Sequence, residues 1–347
     1  MKKLSLFAVA LTLTYLFICN FAVGATEVKV GKGDLKIGGI LQAGFIYLAE
    51  DDPDDEDFDS FFLNRARFLF WGTIVPDKVK YFVQLDHRGG VSVLDYKAQF
   101  FYIPKTEIAV GRFLPNFTLY MPVSTAKLEM INYPLTTLMY AVWRQVGIQT
   151  TTRTDYVDFN FGVFNGYPAN NFSDENDAKD LLFRVDLKPG LEDVKLRFGS
   201  YAWVGFNAPP DPGPPIDPHE ETFEAHRFGG FATLDYTKDE MAIRFRGEFL
   251  GAQDEYPVGV DAKASWNSNA FFIHAGIQPV KQVEFLARYD YYDPDTDVDD
   301  NGSSWLTGGV NYYIDDINAM FYLNYIHMED ALDEDHNLVL GQVQITF

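Results

Sequence analysis

Three pairs of basic residues stand two positions apart: Arg65 and Arg67, Lys195 and Arg197, Arg244 and Arg246. In an extended chain that spacing puts both members of a pair on one face. Cationic groups lining a wet passage can replace part of an anion's hydration through charge-assisted hydrogen bonds. Lys80, Lys97, Arg184 and Arg288 join them as anion-path candidates, with Arg112 at a position of ambiguous phase.

Each of these residues needs a strand to aim it, and the chain supplies an alternating pattern. Val157-Asp158-Phe159-Asn160-Phe161-Gly162-Val163 and Val283-Glu284-Phe285-Leu286-Ala287-Arg288-Tyr289 are clear cases. Segments of about ten residues with period-2 alternation are the signature of membrane barrel strands. In a soluble sandwich the apolar face would pack on a second sheet. Here charged residues recur mid-strand on the other face, and a closed barrel with lipid outside and water inside accounts for both faces.

Short connections fall at 75–78, 104–106, 153–155, 188–190, 237–239, 279–281 and 315–316. Longer ones rich in Asp, Asn and Pro run near 49–60, 87–92, 114–142, 165–179, 204–221, 252–269, 293–303 and 329–336. The alternation predicts a transmembrane antiparallel β-barrel of about sixteen strands. The strands are expected at 35–48, 61–73, 79–86, 93–103, 107–113, 143–152, 156–164, 180–187, 193–203, 223–236, 240–251, 270–278, 282–292, 304–314, 317–328 and 337–347. A barrel of that size keeps a water-filled interior. The last strand alternates Val339, Gly341, Val343, Ile345 and Phe347 with polar residues and ends on an aromatic, as bacterial outer-membrane barrels do.

Composition agrees. Among 347 residues there are 31 Phe and 20 Tyr, too many for a solvated coil. The 50 Asp and Glu outnumber 28 Lys and Arg, for a net charge of −22, which excludes a general nucleic-acid binder. After residue 25 no apolar run is long enough for a membrane helix. Residues 1–25 read as a secretory signal, with Lys2 and Lys3 ahead of an apolar stretch and a small-residue exit at Ala22-Val23-Gly24-Ala25. Its loss takes the charge from −22 to −24 and removes Cys19, the single cysteine. Residues 26–347 then form one barrel domain in the outer membrane of a Gram-negative-type bacterium.

The stretch Phe62-Leu63-Asn64-Arg65-Ala66-Arg67-Phe68, Trp71-Gly72 and Lys80-Tyr81-Phe82-Val83-Gln84-Leu85-Asp86 resembles the phosphate-selective porin O and P family. Asp95-Tyr96-Lys97 and Glu107-Ile108-Ala109-Val110-Gly111-Arg112-Phe113, followed by Pro115, resemble its next hairpin and the entry to its third loop. The resemblance implies a homotrimeric channel whose third loop, here 114–142, folds inward, with Tyr120, Lys127 and Glu129 as constriction candidates. Members that select phosphate carry an arginine ladder and a lysine cluster; this acidic chain does not match such a ladder residue by residue.

Opposite the apolar phase lie thirteen basic residues: Lys36, Arg65, Arg67, Lys80, Lys97, Arg184, Lys188, Lys195, Arg197, Arg227, Arg244, Arg246 and Arg288. Eight acidic ones share that phase: Asp86, Asp95, Asp158, Asp186, Asp235, Glu248, Glu284 and Asp290. The lumen therefore carries about +5 within a chain of −24, since selectivity follows the charges that face the water. Two readings stand: ion pairs that brace the wall, or a mild anion preference.

The negative charge lies in loops. Residues 50–59 hold eight carboxylates, and 293–300 and 329–335 hold five each. Asp293, Asp295 and Asp297 have the alternating spacing of a calcium loop, although the Gly and Glu positions of an EF-hand are not met. The alternatives are a solvated acidic rim and a divalent-cation site linking loops to lipopolysaccharide. Pro209–Pro215 reads as a stiff spacer.

Of six histidines, His274 faces the lumen, and no Ser-His-carboxylate spacing accompanies it. Nothing calls for a cofactor. The reading is a passive channel for small hydrated ions and polar solutes, with contacts to membrane lipid. A barrel lipase or protease, or an adhesive barrel with acidic loops, is the alternative.

Overall fold

The computed structural model describes residues 26–347 other than 32, 51–56, 167–168, 175, 177, 192, 208–221, 260–261 and 332–334. The expected leader at 1–25, the Pro-rich stretch at 209–215 and part of the acidic stretches at 50–59 and 329–335 lie outside the described residues.

A short strand β1 (Thr26–Val30) pairs back on β2 (Gly33–Glu50). The chain continues through β3 (Phe58–Val75), β4 (Val79–Asp86), β5 (Ser92–Phe100), β6 (Thr106–Phe113), β7 (Gln145–Arg153), β8 (Val157–Phe164) and β9 (Asp180–Leu187). It returns through β10 (Val194–Asn207), β11 (Phe223–Lys238), β12 (Met241–Gly259), β13 (Ala262–Val280), β14 (Val283–Asp293), β15 (Ser303–Asp315), β16 (Ala319–Asp330) and β17 (His336–Thr346). From β2 onward each strand is antiparallel to the next, and β17 closes on β2 from Thr346↔Ile40 to His336↔Glu50. Sixteen strands thus close a barrel with no free edge, so that backbone polar groups along the wall pair between neighbouring strands.

The alternation sets the two faces. On β14, Glu284 and Asp290 are 0% exposed, whereas Phe285 and Tyr289 on the opposite face are 49% and 40% exposed. Phe161, Phe183, Phe245, Phe249, Leu323 and Tyr325 continue the outward apolar band. At the closure Gly39 donates to the Phe347 carbonyl at 2.8 Å, and the Phe347 ring covers Gly39 so closely that a Cβ there would lie 2.4 Å from it.

Each of the sixteen expected strands falls on an observed one. Three expectations need correction. Residues 252–269 are not a loop: β12 and β13 run on as a paired hairpin through Asp254↔Trp266 and Tyr256↔Ala264. Ladder bonds do not need an apolar face, so the pairing outlasts the hydrophobic signal. Tyr201 and Trp203, aromatics near the end of the expected strand 193–203 and so suited to an interfacial girdle, face inward instead, at 3% and 2% exposure. The lumen is also not simply water-filled. Phe117, Leu119, Met121 and Tyr140 pack against Phe164, Leu182, Tyr201, Trp203, Phe231, Leu250 and Phe272 of the inner wall.

Those four residues belong to the connection between β6 and β7, residues 114–144, which contains a 3₁₀ turn at Thr125–Lys127 and a one-and-a-half-turn helix α1 (Leu135–Tyr140).

Candidate functional site

The inner wall holds residues 114–144 by side chains from across the barrel. Glu248 of β12 accepts from Leu119 N at 2.6 Å, Thr136 Oγ1 at 2.7 Å and Tyr201 Oη at 2.8 Å. Asp290 of β14 accepts from Leu135 N at 3.0 Å, and Asn324 of β16 from Ile131 N at 3.0 Å. Asn311 donates to the Glu129 carbonyl at 2.8 Å, while Gln42 and Gln344 donate to the carbonyls of Thr125 and Ala126. A polar wall thereby satisfies backbone groups that the helix-poor segment cannot pair itself. Glu248 shares the lumen phase expected from the sequence, but its three-way grip carries no local signal.

The arginines are committed. Arg184 pairs with Asp186 through Nε at 2.9 Å and donates to the carbonyls of Phe117 and Thr118 at 3.0 and 2.7 Å. Arg288 pairs with Asp290 at 2.6 Å and donates to those of Asn132 and Tyr133 at 3.1 and 3.2 Å. Arg67 meets Asp86 at 3.4 Å and Thr125 Oγ1 at 3.1 Å. Arg65 is bonded to Gln42 at 2.6 Å and stacks over Tyr133. Arg197 pairs with Asp186, Arg244 with Glu284, and Arg227 with Asp254. Arg246 meets Asp235 at 2.6 Å and Glu129 at 3.1 Å. Arg112 resolves its ambiguous phase by turning to the carbonyls of Val93, Leu94 and Asn170 and lying over Phe172. Arg144 with Asp95, at 3.1 Å, is a further pair that the strand pattern did not single out, although the expected strand 143–152 contains Arg144; the observed strand β7 begins one residue after it.

The lysines behave differently. Among the described residues, Lys36, Lys80, Lys97, Lys127 and Lys195 form no ion pair with an acid. Lys80 lies 5.1 Å from the Phe101 ring, and Lys97 lies 5.5 Å from that of Phe113. A cavity of about 460 Å³ is lined by Lys36, Lys80, Trp71, Phe82 and Gln99, with Asp34. A second, of about 530 Å³, lies between the 114–144 segment and the wall, lined by Lys127, Lys188, Lys195, Arg197 and Arg246 against Glu129, Asp155 and Asp235. Both lie toward the short-turn end of the barrel. Arginine, with a planar fork suited to carboxylates and carbonyls, fixes the structure, and these five lysines supply the open charge, whereas Lys188 is paired with Asp158 at 2.6 Å.

Tyr120, Lys127 and Glu129 all line the second cavity. The Tyr120 hydroxyl donates to the Glu129 carboxylate, and burial beside that carboxylate pushes its pKa well above the ordinary value. Burial alone would raise Glu129, but Arg246, His274 and the Tyr120 hydroxyl outweigh it, so Glu129 titrates below an ordinary carboxylate.

Asp293, Asp295 and Asp297 do not converge. Asp293 accepts from Asp295 N at 3.1 Å and Asp295 from Asp297 N at 3.1 Å, and among the described residues no three acidic or histidine side chains are grouped to hold a metal. His226 and His327 sit beside Glu224 and Glu329 at the long-loop end.

Known structures share this architecture. An anion-selective porin from Comamonas acidovorans superposes with a TM-score of 0.66 at 13% identity, over 91% of this chain and all of that one. The outer membrane channel DcaP of Acinetobacter baumannii gives 0.65 at 10% identity, over 94% and 100%. This chain has the porin fold. OmpT, an outer membrane protein of Vibrio cholerae, gives 0.63 at 13% identity in its trimer form, over 91% and 100%. The family model for phosphate-selective porin O and P matches residues 264–347, consistent with the resemblance read from the sequence, although the match covers β13–β17 and not residues 60–125. No curated protein sequence matches this porin-fold chain.

Proposed function

We propose that this chain is a passive diffusion channel for small hydrated ions and polar solutes in the outer membrane of a Gram-negative-type bacterium. The observation that carries the reading is the lysine-lined space left beside residues 114–144 in a barrel whose outer face is apolar. The segment narrows the lumen, and solutes pass along the side where Lys127 and Lys195 stand open. Flux follows the gradient.

Lys36, Lys80, Lys97, Lys127 and Lys195 concentrate anions in the short-turn half, so the channel prefers anions over cations. The arginines expected to line the path instead hold its walls. The described acidic loop at 293–300 forms a solvated rim toward lipopolysaccharide, and the outward aromatics meet membrane lipid. A homotrimer is the assembly, supported by the likeness to the trimer form of Vibrio OmpT. A barrel hydrolase would need a lumenal histidine bonded to a nucleophile or a carboxylate. His274 is bonded to neither, which favours the channel.

Purified protein in a planar bilayer should give stepwise, ohmic conductance increments. Folded protein that never conducts would refute the reading.

A further inference from the structure

The 114–144 segment brings one carboxylate into a row of inward-facing basic side chains. In the registers of β12, β13 and β14, Arg246, His274 and Arg288 stand side by side on the inner wall. Arg288 is used up by Asp290 and by two segment carbonyls. His274 is not used: it is 1% exposed, and neither ring nitrogen has a hydrogen-bond partner. A buried imidazole left unbonded costs free energy, and such a group calls for an explanation.

Glu129 supplies one. Its carboxylate forms an ion pair with Arg246 Nη2 at 3.1 Å and accepts a hydrogen bond from the Tyr120 hydroxyl, and Arg246 stands opposite His274 in the β12–β13 register. The wall acids Asp235 and Glu284 already accompany Arg246 and Arg244. Glu129 is therefore an additional anion, and it comes from the segment and not from the wall. The cavity of about 530 Å³ opens directly beside it, so an anion entering past Lys127 and Lys195 meets donors that already hold a carboxylate.

We propose that Arg246, His274 and Tyr120 form a seat for a small carboxylate or oxyanion, and that Glu129 is its tethered occupant, competing with the permeating anion. The proposal rests on the channel reading. A tethered ligand acts at an effective concentration of about millimolar or higher, so dilute free anions do not displace it, while each passing anion feels the charge of Arg246, which lines the cavity beside it. Glu129 thereby keeps the passage from trapping anions, at the expense of selectivity.

The test uses wild type, Glu129→Gln and Glu129→Ala in planar bilayers, with formate as the probe at constant ionic strength. Loss of the charge should raise the chloride-to-potassium permeability ratio by about threefold or more, as expected for one charge removed a few ångströms from the path. Millimolar formate should reduce the chloride current of Glu129→Ala and leave wild type unaffected. Adding His274→Leu to Glu129→Ala should abolish that block. Equal permeability ratios in wild type and Glu129→Gln, the same formate response in wild type and Glu129→Ala, or a block that survives His274→Leu would overturn the seat. Heat-modifiable electrophoretic mobility reports that each barrel is folded. If Glu129→Ala does not assemble, the near-isosteric Glu129→Gln carries the formate arm as well. A wild type without conductance would instead remove the channel reading itself.

Discussion

Arg184 and Arg288 stand in the same relation to the segment they hold. Each pairs with the aspartate two residues later on its own strand, and each donates to consecutive carbonyls of residues 114–144, three for Arg184 and two for Arg288. The Arg-x-Asp spacing puts both charges on one strand face, so β9 and β14 present matching clamps from separate parts of the wall. Between them the segment is fixed near its start, at Phe117-Thr118, and just past its middle, at Asn132-Tyr133.

The two clamps should fail unequally. Asp186 keeps Arg197 when Arg184 is removed, whereas Asp290 has no second cation among its ion pairs in the described residues. Leaving a buried charge without its partner costs about 3–5 kcal/mol. Arg288→Ala should therefore lower the unfolding temperature in detergent clearly more than Arg184→Ala. An equal loss would contradict the single-partner role of Arg288.

Selectivity should follow the lysines. The combined variant Lys36→Gln, Lys80→Gln and Lys97→Gln should lower the chloride-to-potassium permeability ratio with little change in thermal stability. Arg65→Ala with Arg67→Ala should do the reverse, because those side chains hold Gln42, Thr125 and Asp86. Reversal potentials and melting curves of the two variants settle the division of labour.

Acid should release the Glu129 contact only at low pH. Its folded-state pKa lies below the ordinary carboxylate value, burial being outweighed by Arg246 and its neighbours. A depressed carboxylate contributes stability above the unfolded pKa and loses it as pH falls through the folded one. The conductance difference between wild type and Glu129→Gln should stay flat from neutral pH down to the ordinary carboxylate range and vanish below it. A difference that disappears between pH 7 and 5 would mean that Arg246 does not hold the carboxylate.

Gly111 should be intolerant of a side chain. Its φ of 132° is one that L residues rarely adopt, and a Cβ would lie 2.2 Å from the Tyr96 carbonyl of the neighbouring strand. Gly111→Ala should reduce the yield of heat-modifiable barrel, since Gly111 lies just before Arg112 and Phe113 at the entry of the segment. Wild-type yield and melting would show that β6 absorbs the change.

The strands were legible because lipid and water impose their pattern residue by residue, and Phe183-Arg184-Val185-Asp186 shows both faces within four positions. The wall assignment of Arg65, Arg67, Arg244 and Arg246 followed from the same period. Their partners did not. Glu248 reaches Leu119, 129 positions away, and no local pattern encodes such a contact. The hairpin at 252–269 escaped for a related reason: ladder bonds continue where the apolar alternation stops. One clue to the roles of the arginines was present in the sequence, the repeated Arg-x-Asp at 184/186 and 288/290, which marks arginines already supplied with an acid.

The most direct measurement is the zero-current potential of the purified wild-type protein in a planar bilayer under a KCl gradient. A lumen governed by Lys36, Lys80, Lys97, Lys127 and Lys195 gives a reversal displaced toward the chloride equilibrium potential. Reversal toward the potassium potential would contradict it and assign control of the passage to the acidic loops.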